Sequence, residues 1–159
     1  MENDKISPLE ATMRGLTNVQ DCLAPELRLA IDSDSRKKSP LVLVVEDYSD
    51  AREMMCVMLN TLGYEVIEAQ DGVQAVELAI QFRPDLILLD INLPLMDGFQ
   101  AASLIRRQPE TSNIPIIACT AHSQASWRKK AQESGCNDFL RKPVDFNELE
   151  LLLKRYSPL

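Results

Sequence analysis

Histidine is nearly absent from this 159-residue sequence, in which His122 is the single copy. Catalytic arrangements that pair a serine or cysteine with histidine therefore have little support. Metal or redox sites are also poorly supported, because the cysteines form no C-x-x-C pair and have no histidine cluster beside them. Reduced, partly buried thiols are the expected state of these cysteines, which are Cys22, Cys56, Cys119 and Cys136.

Long basic runs and long apolar runs are missing as well. The net charge is -7, which argues against a protein that binds nucleic acid through phosphate contacts. No apolar stretch approaches the roughly 20 residues that span a bilayer. The N-terminal segment, MENDKISPLE, lacks the basic and then apolar layout of a signal peptide. We therefore expect a cytoplasmic protein with no nucleic-acid partner and no membrane partner.

Residues 1–39 differ in pattern from the rest of the chain and are interpreted as an N-terminal extension. A candidate amphipathic helix over residues 7–24 begins with Ser7 as N-cap and Pro8 at the first helical position, and a polar linker follows it. The extension could pack on the following domain, mediate self-association, dock onto a partner, or stay disordered until bound. Removing the residues before Pro40 and measuring the mass in solution tests whether it drives self-association.

Five short apolar runs alternate with helix-length segments from residue 40 onward. The runs are continuously apolar, which is typical of parallel strands covered on both faces. This alternation predicts an α/β fold, a doubly wound five-stranded parallel sheet with helices on both faces. The predicted strands cover residues 41–45, 64–68, 86–89, 114–119 and 139–140.

The ends of the helices are marked by short polar signals. Four segments open with an aspartate that a Glu or Gln follows three residues later, a pattern typical of a helix N-terminus. Glycines lie where two helices should end, at Gly63 and Gly135. The four predicted start pairs are Asp50 with Glu53, Asp71 with Gln74, Asp97 with Gln100, and Asp145 with Glu148.

Polar residues follow four of the predicted strands: Glu46 and Asp47, Asp90, Thr120, and Lys142. In open α/β sheets, ligands bind beyond the carboxyl ends of the strands, so these side chains should converge. Clustered carboxylates need a cation, and ligands that are all oxygen favour Mg²⁺. A carboxylate at such a metal can attack phosphorus, while an ammonium and a hydroxyl bind phosphate oxygens. The set therefore predicts phosphoryl transfer.

Each of these residues also has a simpler interpretation when it is taken alone. An aspartate such as Asp90 at a strand end commonly forms a turn or caps a helix. A lysine such as Lys142 is commonly a solvated surface charge. If each residue had only its simpler role, polar residues suited to phosphate chemistry would have to occur by accident at the ends of four separate strands. For this reason the functional interpretation is preferred.

Four segments together resemble the receiver domain of two-component response regulators. The strongest element is the D-x-x-L-P-x-M-D-G pattern from Asp90 to Gly98. The resemblance covers about residues 40–157 and implies a flavodoxin-like receiver domain over residues 40–159 with strand order 2-1-3-4-5. The segments are LVLVVEDYSDAREMM, DLILLDINLPLMDGFQAASLIR, IPIIACTAH and GCNDFLRKPVDFNEL.

The resemblance implies a metal site and a phosphoacceptor. Asp90 matches the aspartate that is phosphorylated, and Glu46 and Asp47 match the acidic pair that binds Mg²⁺. Asp47 is expected to bind the ion directly and Glu46 through water. The position of Asn92 matches the residue whose backbone carbonyl also binds the metal.

The resemblance also implies a switch. Thr120 and Lys142 match the residues that contact the phosphoryl group, and the bond between Lys142 and Pro143 matches one that is usually cis in the family. Phe139 matches an aromatic residue that turns inward when Thr120 moves toward the phosphate; plain core packing is the alternative for this ring. Phosphorylation would then reshape the surface of the fourth helix, fifth strand and fifth helix.

Several further positions are interpreted by the same resemblance. Asn92 and His122 lie two residues beyond signature positions and should tune the lifetime of the phosphorylated state. Trp127 is expected to be exposed on the fourth helix, and with Arg128 it is a candidate partner surface; a partly covered surface tryptophan without a partner is the alternative. Gln132 replaces an apolar residue that is common in the family, which predicts a loosely packed helix or an unusual partner face.

A stand-alone response regulator is the expected kind of protein, because the chain ends at Leu159, soon after the fifth helix. Its partners would be a sensor histidine kinase or histidine phosphotransfer protein and a downstream protein target. The main alternative is a receiver or relay component of a hybrid kinase. A phosphorylation-independent binding module and a phosphate-ester hydrolase are further alternatives. Asn92 argues against the hydrolase, because such enzymes usually need a second general acid close after the nucleophile.

Overall fold

A computed structural model describes residues 38–159 of the chain. The predicted helix over residues 7–24, the linker up to residue 37, and Cys22 lie outside the described residues. The proposed self-association through the extension lies outside them too.

The described residues form the predicted five-stranded sheet, in which every neighbouring pair of strands is parallel. The strand order is β2-β1-β3-β4-β5, which confirms the flavodoxin-like order 2-1-3-4-5. The observed strand ends lie within two residues of the predicted ones. The strands are β1 (Leu41–Val45), β2 (Glu65–Ala69), β3 (Leu86–Asp90), β4 (Ile116–Thr120) and β5 (Asp138–Arg141).

Five helices connect and flank the strands, and they cover both faces of the sheet as predicted. Alternate residues of β1 point to opposite faces: Leu43 and Val45 pack toward α2, α3 and α4, while Val42 and Val44 pack toward α1 and α5. No helix among residues 38–159 is both long enough and apolar enough to cross a membrane. The helices are α1 (Ser49–Thr61), α2 (Gly72–Phe82), α3 (Gly98–Arg107), α4 (Ala125–Glu133) and α5 (Phe146–Tyr156).

Three of the four predicted N-caps are confirmed. Asp71 and Asp145 accept hydrogen bonds from backbone amides of the first turns of α2 and α5. Asp97 forms a complete capping box with Gln100 at the start of α3. Each cap satisfies backbone donors that the helix itself leaves free.

The predicted cap at Asp50 is wrong. The N-cap of α1 is Tyr48, which makes no side-chain capping bond, and Asp50 lies inside the first turn. The helix begins at Ser49, earlier than the pattern indicates. The last residue with an extended backbone before it is Tyr48, with φ -81° and ψ 115°. Asp50 instead accepts a hydrogen bond from the Tyr48 hydroxyl at 3.3 Å, and its charge favours the helix N-terminus.

Gly63 and Gly135 follow the ends of α1 and α4, as predicted. Their φ angles are +90° and +94°, a left-handed conformation that glycine adopts without steric cost. The space beside Gly135 is also restricted, since an added Cβ would lie 2.6 Å from Cγ of Arg106.

Arg106, near the end of α3, joins the segment that precedes β4 to the segment that precedes β5. Its Nε donates to the Gly135 carbonyl at 2.8 Å, and its Nη1 donates to the carbonyls of Ser112 and Ile114 at 3.1 and 2.6 Å. Its Nη2 donates to Oδ1 of Asn137 at 2.6 Å. Burial lowers the pKa of this guanidinium from its usual value, yet the group stays charged because its usual pKa is so high.

We predict that Arg106→Met lowers the free energy of unfolding by about 2–4 kcal/mol, because it removes a charged donor from partly buried acceptors. Methionine keeps the aliphatic stem, so the loss reports mainly on hydrogen bonds. Urea denaturation measures it. Arg107→Met is the matched control at the neighbouring exposed position, where we expect less than about 0.5 kcal/mol. Equal losses in both variants would contradict this role for Arg106.

Candidate functional site

Three carboxylates meet at the carboxyl ends of β1 and β3. The two strands are paired in register, with Val45 opposite Leu89, and Glu46 and Asp90 are the next residues along each strand. Carboxylate oxygens of Glu46, Asp47 and Asp90 all lie within 4.8 Å of one another. The side chains of Glu46 and Asp90 are buried, whereas Asp47 is exposed. The predicted acidic cluster is therefore present, and one of its members faces solvent.

Lys142 directly follows β5 and brings a positive charge to this cluster from the carboxyl end of that strand. Its Nζ lies 2.9 Å from Oδ2 of Asp90 and also contacts Oε2 of Glu46. Its backbone amide donates to the Thr120 carbonyl at 2.8 Å, and its bond to Pro143 is cis, as the resemblance implies. The predicted convergence of strand ends thus includes this lysine.

The electrostatics of the site follow from burial and from these contacts. Burial raises the pKa of Glu46 above its usual value, although the Lys142 ammonium acts in the opposite direction. Burial alone would lower the pKa of Lys142, but its contacts with Glu46 and Asp90 outweigh that effect and raise it. The ammonium therefore stays charged at neutral pH and stabilises the ionised carboxylates.

The donor set suits a divalent metal ion. Three carboxylates and one ammonium leave a formal charge of -2 when all four groups are ionised. The available donors are oxygens, which hard ions such as Mg²⁺ prefer. Asp47 is exposed, so a metal could enter from the solvent side. The residues present therefore fit a metal site, with Glu46, Asp47 and Asp90 as its carboxylate ligands.

Asp90 is fixed by the loop that follows it and by the close approach of α3. Its Oδ1 accepts a hydrogen bond from the amide of Asn92 at 3.0 Å. The Gly98 amide donates to the Ile91 carbonyl at 3.0 Å, and an added Cβ at Gly98 would lie only 2.3 Å from the carbonyl oxygen of Asp90. Glycine at this position lets α3 start against the backbone that presents Asp90.

Thr120, at the end of β4, is almost completely buried, with an exposed fraction of 1%. Its Oγ1 accepts a hydrogen bond from the amide of His122 at 3.1 Å. The ring of His122 stacks on Trp127, with centroids 4.2 Å apart and planes 5° apart. The loop between β4 and α4 is thus held to α4 by an aromatic contact.

The structure corrects the expectation that Trp127 is exposed. The ring is half-buried, because it packs between His122 and Phe99 of α3, with 5.8 Å between the Phe99 and Trp127 centroids. Phe139 is also half-buried, and Cζ of Arg128 lies 5.2 Å from its ring centroid. Gln132 is exposed.

One residue that supports the site was not singled out in the sequence. Arg52 of α1 donates to the backbone carbonyl of Glu46 at 2.9 Å and pairs with Glu68 of β2 at 2.9 Å. It fixes the loop that carries Glu46 and Asp47. Its position five residues after Asp47, near the start of α1, is the only signal that the sequence offers, and an arginine at the start of a helix has many other uses.

Comparisons with known proteins agree on the family. A sequence model described as the response regulator receiver domain matches residues 42–154. The DNA-binding dual master transcriptional regulator RpaA from Synechocystis sp. is 36% identical over 110 residues, which cover 69% of this chain and 46% of RpaA. The chain therefore spans less than half of the length of this curated relative.

Solved receiver domains match the fold as well. The receiver domain of sensor histidine kinase PA1611 from Pseudomonas aeruginosa is 39% identical, with a TM-score of 0.70, covering 74% of this chain and 97% of that one. It was crystallised with a magnesium ion coordinated in the active site cleft. The receiver domain of Ssk1 from Saccharomyces cerevisiae was solved with the histidine phosphotransfer protein Ypd1. It is 28% identical, with a TM-score of 0.69, and the match covers 75% of this chain and 89% of that one. This chain belongs to the response regulator receiver domain family.

Proposed function

We propose that the chain is a stand-alone response regulator whose Asp90 accepts a phosphoryl group in a Mg²⁺-dependent reaction. A sensor histidine kinase or histidine phosphotransfer protein would be the donor. The observation that carries the proposal is the contact of the Lys142 ammonium with buried Asp90, beside two further carboxylates. That arrangement provides both a nucleophile and positive charge for phosphoryl oxygens.

The proposed step is an in-line transfer between side chains. An oxygen of Asp90 attacks the phosphorus of the donor phosphohistidine, the new O–P bond forms, and the P–N bond breaks. The imidazole leaves with the electron pair and takes a proton from solvent. Asp47, Asp90 and the Asn92 carbonyl would hold Mg²⁺ directly and Glu46 would hold it through water; the ion would supply positive charge that offsets the negative charge of the reacting groups. The only catalysis we assign to the chain is its own phosphorylation and dephosphorylation, so it acts as a signalling module.

Lys142 and Thr120 would bind the transferred group. The Lys142 ammonium lies 2.9 Å from Oδ2 of Asp90, so it can pass from the carboxylate to a phosphoryl oxygen with a small displacement. Thr120 would donate its hydroxyl proton after a movement toward the phosphoryl group. Asn92 and His122 would flank the path of the attacking water and so tune dephosphorylation.

The signal would leave through protein–protein contacts of the α4-β5-α5 face. Phe139 lies on β5 beside β4, in register with Ala118, two residues before Thr120. A movement of Thr120 therefore changes the space behind the Phe139 ring, and the downstream target would recognise the altered face. A cytoplasmic location is consistent with the free thiols of Cys56, Cys119 and Cys136.

The alternative is a receiver or relay component of a hybrid kinase, and the similarity to the PA1611 receiver domain favours it. The two roles predict different behaviour of the phosphorylated chain toward a histidine phosphotransfer protein. A relay component should return its phosphoryl group to the histidine quickly, whereas a terminal regulator should retain it. Radiolabel transfer after mixing distinguishes them. In either role, we propose a receiver over residues 40–159 preceded by an extension over residues 1–39.

Metal dependence gives the direct test of the proposal. We predict that intact mass spectrometry of the full chain, incubated with Mg²⁺ and acetyl phosphate, finds one added phosphoryl group that EDTA prevents. The acidic cluster alone repels an incoming phosphoryl group unless a cation is present. Where rapid hydrolysis hides the adduct, beryllofluoride binding measured by ¹⁹F NMR replaces it. Absence of both would identify a phosphorylation-independent binding module.

A further inference from the structure

Two consecutive side chains in the first turn of α4 reach the two residues of the proposed switch. Trp127 stacks on His122, whose amide donates to Oγ1 of Thr120 at 3.1 Å. Arg128 lies directly over the ring of Phe139, 5.2 Å from its centroid. The first turn of α4 therefore contacts Phe139 directly and Thr120 through one intermediate residue.

Trp127 is itself held in place from the side of α3. Its ring packs on Phe99 at 5.8 Å, and Nζ of Lys130 lies 4.6 Å from the Phe99 centroid and 6.0 Å from the Trp127 centroid. Phe99 is buried, with an exposed fraction of 5%. Because Phe99 holds the Trp127 ring in place and His122 stacks on that ring, this packing restrains His122 and the loop that follows Thr120.

The rest of α4 is weakly attached. Ala131 is its one buried residue, and its N-cap Gln124 makes no side-chain capping bond. By contrast, α3 and α5 bury five and three residues. The aromatic and cation–π contacts of Trp127 and Arg128 therefore provide a large share of what holds the start of α4 to the domain.

We propose that Trp127 and Arg128 are positioning residues that hold Thr120 and Phe139 in the arrangement described above and thereby oppose the switch. The inference rests on the proposed function of Asp90. In that arrangement the Thr120 hydroxyl oxygen accepts a hydrogen bond from the backbone amide of His122, and the half-buried Phe139 ring lies under Arg128. A contact present in one arrangement only lowers the affinity for any ligand that favours the other.

The test is a titration of the full chain with beryllofluoride in the presence of Mg²⁺, followed by ¹⁹F NMR of the bound fluoride. We expect Trp127→Leu to lower the half-saturating concentration roughly two- to tenfold, the range that an aromatic pair provides. Arg128→Ala should lower it roughly two- to fivefold, as for an exposed cation–π contact. Lys129→Ala is the matched control, because it removes the same charge from the same turn, where Lys129 contacts Glu133.

The route through His122 has its own test. His122→Ala should lower the half-saturating beryllofluoride concentration as much as Trp127→Leu does. The variant that carries both substitutions should bind beryllofluoride no more tightly than either single variant. Trp127→Phe, which keeps a ring at this position, should restore most of the natural affinity. In the natural chain, Trp127 is the sole tryptophan, so its emission should change when beryllofluoride binds, and His122→Ala should reduce that change.

The outcomes separate the inference from the function on which it rests. Failure of the natural chain to bind beryllofluoride would overturn the proposed function. Binding by the natural chain, with unchanged or weaker binding by Trp127→Leu and Arg128→Ala, would overturn the positioning role alone. Arg128 and His122 are exposed, so their variants should fold and give a decision even where Trp127→Leu is unstable. If Lys129→Ala lowered the half-saturating concentration as much as Arg128→Ala, the inference would also be contradicted, because the loss of a positive charge alone would explain the effect.

Discussion

Asp90→Asn is expected to abolish the phosphoryl adduct while leaving the fold intact. The amide is a poor nucleophile toward phosphorus and brings no negative charge to a metal. Its carbonyl oxygen can still accept the hydrogen bond that Oδ1 receives from the Asn92 amide at 3.0 Å. Removing one of three clustered carboxylates also relieves repulsion, so the melting temperature should stay the same or rise. Intact mass after incubation with Mg²⁺ and acetyl phosphate measures the adduct.

Asp97→Asn is the matched control for this substitution. It removes the same charge seven residues further on, and asparagine caps a helix about as well as the aspartate that caps α3. We expect its adduct to form as in the natural chain. Adduct on the Asp90→Asn variant would place the phosphoacceptor at another residue, which peptide mapping would then locate.

Lys142→Met is expected to slow phosphorylation by about 100-fold or more, the usual cost of losing one preorganised electrostatic contact. The same substitution should tighten Mg²⁺ binding, because it changes the formal charge of the ionised site from -2 to -3. A merely structural lysine would weaken both properties together. The rate of adduct formation at saturating Mg²⁺, together with a Mg²⁺ titration, separates the two effects.

Lys154→Met serves as the control for Lys142→Met. Lys154 is exposed and pairs with Glu150 one turn earlier on α5, so its loss changes the net charge equally but far from the cluster. Phosphorylation and Mg²⁺ affinity should both remain close to natural values in this variant. If Lys142→Met phosphorylated at the rate of this control, the ammonium would have no part in the transfer.

The sheet and the convergence of its strand ends could be predicted because local pattern determines both. Buried parallel strands need continuous apolar runs, and parallel strands present their carboxyl ends at one edge. Glu46, Asp90 and Lys142 therefore met as predicted. The caps at Asp71, Asp97 and Asp145 were predictable for a similar reason, since each bonds to amides only two or three residues away.

The incorrect predictions concern features that local pattern does not determine. Asp50 carries the same sequence signal as the true caps, but the extended backbone that defines an N-cap belongs to Tyr48. Trp127 appeared exposed because its neighbours in sequence are polar, whereas Phe99 and His122, which cover it, come from other segments. The support that Arg52 gives to the Glu46 carbonyl was missed because backbone acceptors carry no sequence signal.

The contact between Lys142 and Glu46 joins residues 96 positions apart. A chain emerging from the ribosome would therefore contain the whole acidic cluster long before it contained its cationic partner. Contacts of such long range form only when the intervening loop has been closed by the rest of the fold. The complete set of charged groups should thus come together in a single late event, so an unfinished domain would hold the carboxylates without the ammonium that offsets their charge.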